Sequence, residues 1–417
     1  MTVFSTTARF DRAFFALLAD GLAAAVAIAL PWSTTAASIC IVAWLVVLLP
    51  TLDVAALRRE IVTAPGGLPV LLWCLGALGM VWASVDWSAR LGGLDGFNRL
   101  LAIPLLFAQY RRSTRGYWVI WGFLFSSALA LIASFVIALF PGLNWRDPAV
   151  PGIPAHDDIY QSSAFMICTF ALLGFACDEG RKRHWGKSFG SIAIGTAFLA
   201  DFAFATFSRA ALLVAPVLVA LLGWRERRWG GLLAACVLLT AIGVGAWFAA
   251  PNLRARIDQS FDELGDYLAT GEGTSIGEHT AFLKESLAIS AAAPILGHGT
   301  GSIPQEFRKI TAGKAGASAE ATVNPHNQTF AITIQIGLVG ALVLWSMWIA
   351  HILLFRGDSV ISWCGKVVVA ENIVSSTFHT HLFDFNNGWL YVFGVGVLGG
   401  MALQERAAPP AKTASLR

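Results

Sequence analysis

Charge is scarce in this chain. Only 13% of its 417 residues are Asp, Glu, Lys or Arg, about half the share found in soluble domains, and that excludes an ordinary water-soluble globule. Cysteines number six, and none stands in a CxxC or Cys/His ligand spacing, so neither a zinc ribbon nor a disulfide framework is indicated. Cys40, Cys74, Cys168, Cys177, Cys236 and Cys364 lie in or beside apolar runs and read as small hydrophobes. The net charge of +3 follows loop topology and gives no footprint for a nucleic acid. No internal repeat and no nucleotide-binding fold stands out. The first apolar segment lacks a small-residue cleavage site, so no cleavable signal peptide is expected.

What is abundant is apolar. Hydrophobic residues make up 56% of the chain, mean hydropathy is +0.65, and many of the 16 tryptophans stand near the ends of apolar runs, as in an interfacial belt. A span needs roughly 20 apolar residues. On that basis twelve candidates appear: 12–31, 34–50, 66–84, 98–110, 116–141, 159–177, 189–207, 210–224, 229–250, 326–355, 360–378 and 386–403. Two are short and carry a proline, Pro104 and Pro216, as expected of segments that pack inside a bundle or line a cavity. The expected architecture is an all-α integral membrane protein: nine spans over 1–250, a helical outer loop over 251–325, three spans over 326–403 and a polar tail over 404–417. Lys and Arg gather in alternate loops (Arg58 and Arg59; Arg111, Arg112 and Arg115; Arg181, Lys182, Arg183 and Lys187; Arg225, Arg227 and Arg228). By the positive-inside rule both termini are cytoplasmic and the long loop lies outside.

The outer loop carries the residues that point to chemistry. Leu253, Ile257, Phe261, Leu264 and Leu268 recur at helical spacing, so 253–269 reads as an amphipathic helix. A second helical stretch over 278–292 follows, and together they suggest a lid on the membrane surface. The run APILGHGTGSIPQEF (293–307) combines Gly297, Gly299 and Gly301 with His298, ahead of a helix bearing Arg308. It fits either an anion cradle, since glycines let backbone approach a phosphate, or a tight turn.

Pro325-His326-Asn327 closes the loop where the chain re-enters an apolar run. His326 is a candidate proton acceptor, or else part of the cap of the next helix. Arg209, in TFSRAALL (206–213), follows Ser208, a natural N-cap. A cation in a first helical turn opposes the helix dipole unless an anion binds both; the bland alternatives are snorkelling and a pair with Asp201. Arg99 fits site membership and interfacial anchoring equally. In HDDIYQSSAF (156–165), Asp158 reads as a helix N-cap. HTHLFDF (379–385) puts His379, His381 and Asp384 outside, without the spacing of a zinc site. Glu371 reads as a buried, paired group.

Three segments in this order, T-x-S-R at 206–209, P-x-x-G-x-G at 294–299 and H-N at 326–327, resemble the signatures of the bacterial O-antigen ligase and polymerase superfamily. The likeness covers roughly 195–400. It implies a membrane glycosyltransferase of the C-like type that uses no metal or cofactor. Such enzymes move a glycan from undecaprenyl diphosphate to an acceptor at the periplasmic face of the inner membrane; in the ligase branch the acceptor is the outer core sugar of lipid A–core. The resemblance maps the family's membrane arginine to Arg209 and its loop histidine to His326. Arg99, His279, His298, Arg308 and Asn327 are candidates for holding the diphosphate or substrate. The family often has an arginine where this chain has His279; His279 does that work here, or Arg254, Arg256 or Arg308 replaces the charge. Partners implied are the lipid-linked donor, lipid A–core and membrane lipids, with no nucleic acid. A repeat-unit polymerase or protein O-glycosyltransferase shares the motifs, and a transporter of a lipid-linked glycan is the alternative from another class. Glycan identity and oligomeric state are not legible.

Overall fold

The computed structural model describes residues 11–143, 152–154, 157–204, 209–249, 258, 262–263, 265–270 and 274–407. Every regular element among them is a helix. In chain order these are α1 (Arg12–Ala29), α2 (Thr34–Leu48), α3 (Val54–Ile61), α4 (Ala64–Gly79), α5 (Trp87–Asn98), α6 (Ala102–Tyr110), α7 (Gly116–Leu139), α8 (Asp158–Arg181), α9 (Trp185–Phe204) and α10 (Arg209–Ala249). After them come α11 (Ser275–Ala292), α12 (Ile303–Thr311), α13 (Gln328–Leu354), α14 (Val360–Ser375) and α15 (Phe385–Ala407). The few polar residues open many of them. Asp11, Ser33, Asp53, Asp86, Asp157, Thr274, Asn327 and Ser359 each accept a bond from a first-turn amide, meeting donors that a helix start leaves unpaired. For α8 the cap is Asp157, not Asp158, which is the first helical residue.

The chain is an all-α membrane protein. Its outer surface is apolar: Ile39, Val42, Trp121, Phe125, Ile132 and Leu342 are each at least 60% exposed, which only a hydrocarbon solvent tolerates over so wide a belt. The buried core lies among α6, α8, α13, α14 and α15 and holds Phe107, Phe165, Trp348, Trp363 and Tyr391. Several ionisable groups that enter the bundle are paired. Buried Asp20 accepts from Gln109 and Ser113 and faces Arg115; Glu60 is held by Arg59 and Arg111; Asp178 by Arg225 and Arg181.

By length and composition, six helical segments among the described residues can cross a bilayer: Arg12–Ala29, Thr34–Thr51, Trp87–Tyr110, Gly116–Leu139, Asp158–Arg181 and Gln328–Leu354. The α3–α4 pair, bent by 86°, makes a seventh. The short span expected at 98–110 is instead the second half of a 24-residue helical segment, Trp87–Tyr110, joined through a 3-10 turn at Arg99–Leu101. That shift carries Arg99 from a span's end to its middle. The segments expected at 210–224 and 229–250 are the two halves of α10, parted by non-helical backbone at Arg227 and Arg228 and packed together where Gly223 meets Gly231. Of the amphipathic stripe expected over 253–269, Leu253, Ile257, Phe261 and Leu264 lie outside the described residues, and 265–270 are helical.

Candidate functional site

Helix α13 is broken at Gly337, whose φ is 68°. A break there leaves two carbonyls, Ile334 and Gln335, and two amides, Leu338 and Val339, without helical partners. The 294–301 loop supplies all four. His298 N and Gly299 N donate to the Ile334 and Gln335 carbonyls at 2.8 and 2.9 Å, while Leu338 N and Val339 N donate to the Pro294 and Ile295 carbonyls at 2.8 and 3.4 Å. The glycines are spent on this joint. Gly297, Gly299 and Gly301 have φ of 67°, 93° and 87°, and an added Cβ would strike the backbone of Gln335, Ala83 and Ala89 respectively. Every amide from 297 to 301 donates within the protein: Gly297 to Ala293, Thr300 to Gly79 and Gly301 to the Gln335 side chain complete the set. The anion-cradle reading is therefore corrected, because no amide from 297 to 301 is left to face a phosphate. His298 is likewise committed. One ring nitrogen lies 2.9 Å from the Ile289 carbonyl and the other 3.6 Å from Glu306.

This joint sets the base of a second constellation at the same end of the bundle. His326 adopts φ 50°, a left-handed conformation uncommon outside glycine and concentrated at functional positions. Its amide donates to Asn324 Oδ1 at 2.9 Å, and Thr380 Oγ1 donates to the same oxygen. Asn327 caps α13 through Phe330 N and donates from Nδ2 to the Thr377 carbonyl. Gln328 N donates to Ser376 and Gln328 Oε1 accepts from Leu382 N. These bonds lock the 324–328 turn to the loop between α14 and α15. Asn327 is thus a clamp rather than a substrate ligand, since both ends of its amide are occupied. Arg99, buried within its span, holds the same loop from below by donating to the carbonyls of Phe383, Asp384 and Phe385. Its guanidinium is turned onto backbone, which corrects the expectation of a diphosphate ligand.

Locked in this way, the imidazoles of one helix and two loops meet. His279, exposed in the first turns of α11, has its ring centroid 4.8 Å from that of His326. His326 lies 6.2 Å from His379, which lies 5.5 Å from His381. Phe282 stacks on His326 at 5.8 Å and 13°, and Phe307 packs edge-on behind Phe282. His326 Nδ1 is buried without a hydrogen-bond partner among the described residues. Burial, then the neighbouring His279, holds the His326 pKa below the usual imidazole value. Burial lowers His379 to about 4, reinforced by His326 and His279 and opposed by Asp157. Burial lowers His381 to about 3, reinforced by His379 and opposed by Asn387 and Asp157. At neutral pH the inner part of this array is a set of uncharged bases.

His379 and His381 were not drawn into the site by sequence reasoning. Their signal was four polar residues in seven, His379, Thr380, His381 and Asp384, between two apolar runs, and it gives no partner across the chain. Glu371 is buried in α14 and accepts from Ser375, as the apolar run around it implied. Arg308 is exposed on α12, with no described bond to the imidazoles. Arg209 is the first residue of α10, as its place after Ser208 predicted; its side chain, with Ser208, His156, Arg254 and Arg256, lies outside the described residues.

No curated protein matches the chain. Residues 194–345, which contain the TFSR segment, the glycine joint and His326, match the family model described as O-antigen ligase.

Proposed function

We propose that the chain is an O-antigen ligase: a glycosyltransferase that moves a glycan from undecaprenyl diphosphate to the outer core sugar of lipid A–core. In this reading it sits in the bacterial inner membrane with the imidazole array at the periplasmic face. The observation that carries it is His326, an uncharged, half-buried imidazole in a left-handed turn within the matched family segment. The acceptor hydroxyl attacks the anomeric carbon as its proton passes to His326. A C–O bond forms to the acceptor, the bond to the diphosphate oxygen breaks, and the diphosphate leaves with the electron pair. Attack opposite the leaving group inverts the anomeric centre.

The remaining demand is charge on the departing diphosphate. A fixed donor in a low-dielectric pocket contributes on the order of 3 kcal/mol to such a step. Arg209 at the start of α10 fits that role, because a phosphate there meets both a guanidinium and a helix N-terminus. His279, exposed beside His326, is placed to donate to the same anion, with Arg308 as a further cation of the outer region.

The test uses purified parent, His326→Ala and Arg209→Ala, each supplied with undecaprenyl-diphosphate-linked glycan and lipid A–core, with glycosylated lipid A scored on a gel. Each substitution is expected to lower product at least a hundredfold while the protein keeps its elution volume. Longer carrier-linked chains with lipid A untouched would make the enzyme a polymerase. Transfer to no acceptor would leave a transporter as the better reading.

A further inference from the structure

At the end of the bundle away from the imidazoles lies a feature the proposed chemistry does not use. A cavity of about 800 Å3 opens between α7, α8, α9, α14 and α15, within the ~300–1,000 Å3 range of pockets that hold small ligands. Its walls are apolar: Ile120, Trp121, Phe175, Ile194 and Val397 are among them. Along α8 the lining runs from Ile167 to Lys182, a helical rise of roughly 22 Å. One leaflet of hydrocarbon is only about 15 Å deep, so the cavity is long enough for acyl chains entering from one side.

One end is basic. Lys182, just past the end of α8, and Lys187, in the first turn of α9, line it, and both are more than half exposed. Buried Glu179 organises them: Lys182 Nζ is 2.8 Å away, His184 Nδ1 2.8 Å and Lys187 Nζ 3.8 Å. A single carboxylate thus holds two ammonium groups at the mouth, and the surplus there is positive. Exposed Trp185 and Phe189, 6.3 Å apart, flank the turn on α9, as aromatic side chains do at a headgroup boundary. α8 is capped at its start by Asp157, whose charge acts on His379 and His381, and ends at Arg181, so this mouth opens on the opposite membrane face.

We infer that this cavity is a binding site for an anionic diacyl phospholipid of the leaflet opposite the imidazole array, with its phosphate on Lys182 and Lys187 and its acyl chains between α7 and α8. An apolar groove alone would accept any lipid tail. The paired lysines at its end select a net negative headgroup, which phosphatidylglycerol has and phosphatidylcholine lacks. The site lies away from the reacting groups, so the lipid wedges the α1–α7 side against the α8–α9 and α14–α15 side.

Native mass spectrometry of the full chain released from detergent tests this, with phosphatidylglycerol or phosphatidylcholine of identical acyl chains added. The parent is expected to retain phosphatidylglycerol roughly tenfold better, two lysines near a surface each favouring an anionic lipid several-fold. K182Q/K187Q should fall to the phosphatidylcholine level, and K182R/K187R should keep the preference. Ala171→Phe, which fills the groove, should lower retention of both lipids. The inference is overturned by equal retention of the two lipids in the parent, by an unchanged preference in K182Q/K187Q, or by full retention in Ala171→Phe. It is also overturned if glycerol phosphate competes as well as the intact lipid, or if a polyprenyl phosphate is retained in preference to phosphatidylglycerol. No outcome depends on ligase activity.

Discussion

A single imidazole decides the pH behaviour proposed here. His326 must be uncharged to accept a proton, and burial with His279 close by keeps its pKa below 6.5. The base form is therefore present at neutral pH and is lost as pH falls through that lowered value. Ligation rate under saturating donor should be flat near pH 7 and fall on the acid side with a midpoint below 6.5. His279→Ala removes one of the two causes of the depression, so it should move this midpoint upward while lowering the rate about tenfold through the lost donor to diphosphate. His279→Arg should restore much of the rate with the midpoint no higher than in the parent, since a permanent cation beside His326 also disfavours its protonation. A rate loss in His279→Ala with no shift of the midpoint would reduce His279 to packing.

At the scale of elements, the paired break of α13 and the 294–301 loop ties the chain that follows the His279 helix to the helix that starts beside His326. Gly337→Ala would force a side chain into a left-handed position against the Ile295 carbonyl. The conformation alone costs about 1–2 kcal/mol, and the overlap adds to it. We expect a lowered melting temperature in detergent and faster hydrogen exchange at His298 and Gly299, whose amides cross the joint. The α14–α15 loop has its own acid sensitivity. His379 and His381 titrate near 4 and 3 in the fold against about 6.5 when unfolded. Groups with depressed folded values stabilise above the unfolded pKa and lose that contribution as pH falls through the folded one. Exchange of amides 376–384 should therefore accelerate between pH 6 and pH 4, before the apolar bundle opens.

For the whole molecule, the placement of sites at two ends is the claim open to test. The imidazoles and the Lys182–Lys187 turn stand at opposite ends of α8, whose 24 residues rise about 36 Å, enough to cross ~30 Å of hydrocarbon. Cysteines introduced at Thr377 and at Lys187, in a background with the six native thiols replaced, should label with a membrane-impermeant maleimide from opposite sides of sealed vesicles. Labelling of both from one side would remove the orientation on which the proposed function and the lipid site are both drawn.

How much of this was legible beforehand follows from the range of each interaction. Apolar runs of 15–25 residues and the polar caps before them are local, so the helices, their membrane setting and the starts of α8, α10 and α13 were open to sequence reasoning within a residue or two. The ordered TFSR, PILGHG and HN segments, all contiguous residues, likewise pointed to the family whose model matches residues 194–345. The partner of a backbone amide is not local. Nothing in PILGHGTG says that its donors meet a broken helix some forty residues on, so an anion cradle and a structural joint looked alike. Arg99 looked like an outer cation until a turn at 99–101 joined α5 to α6 and buried it under the carbonyls of 383–385. Composition and apolar run length determined that this chain is a helical membrane protein, and the resemblance carried by its ordered segments implied which histidine to watch. Only the tertiary structure decided that four histidines from one helix and two loops share one place, because that depends on hydrogen bonds closing between segments 50 to 286 residues apart.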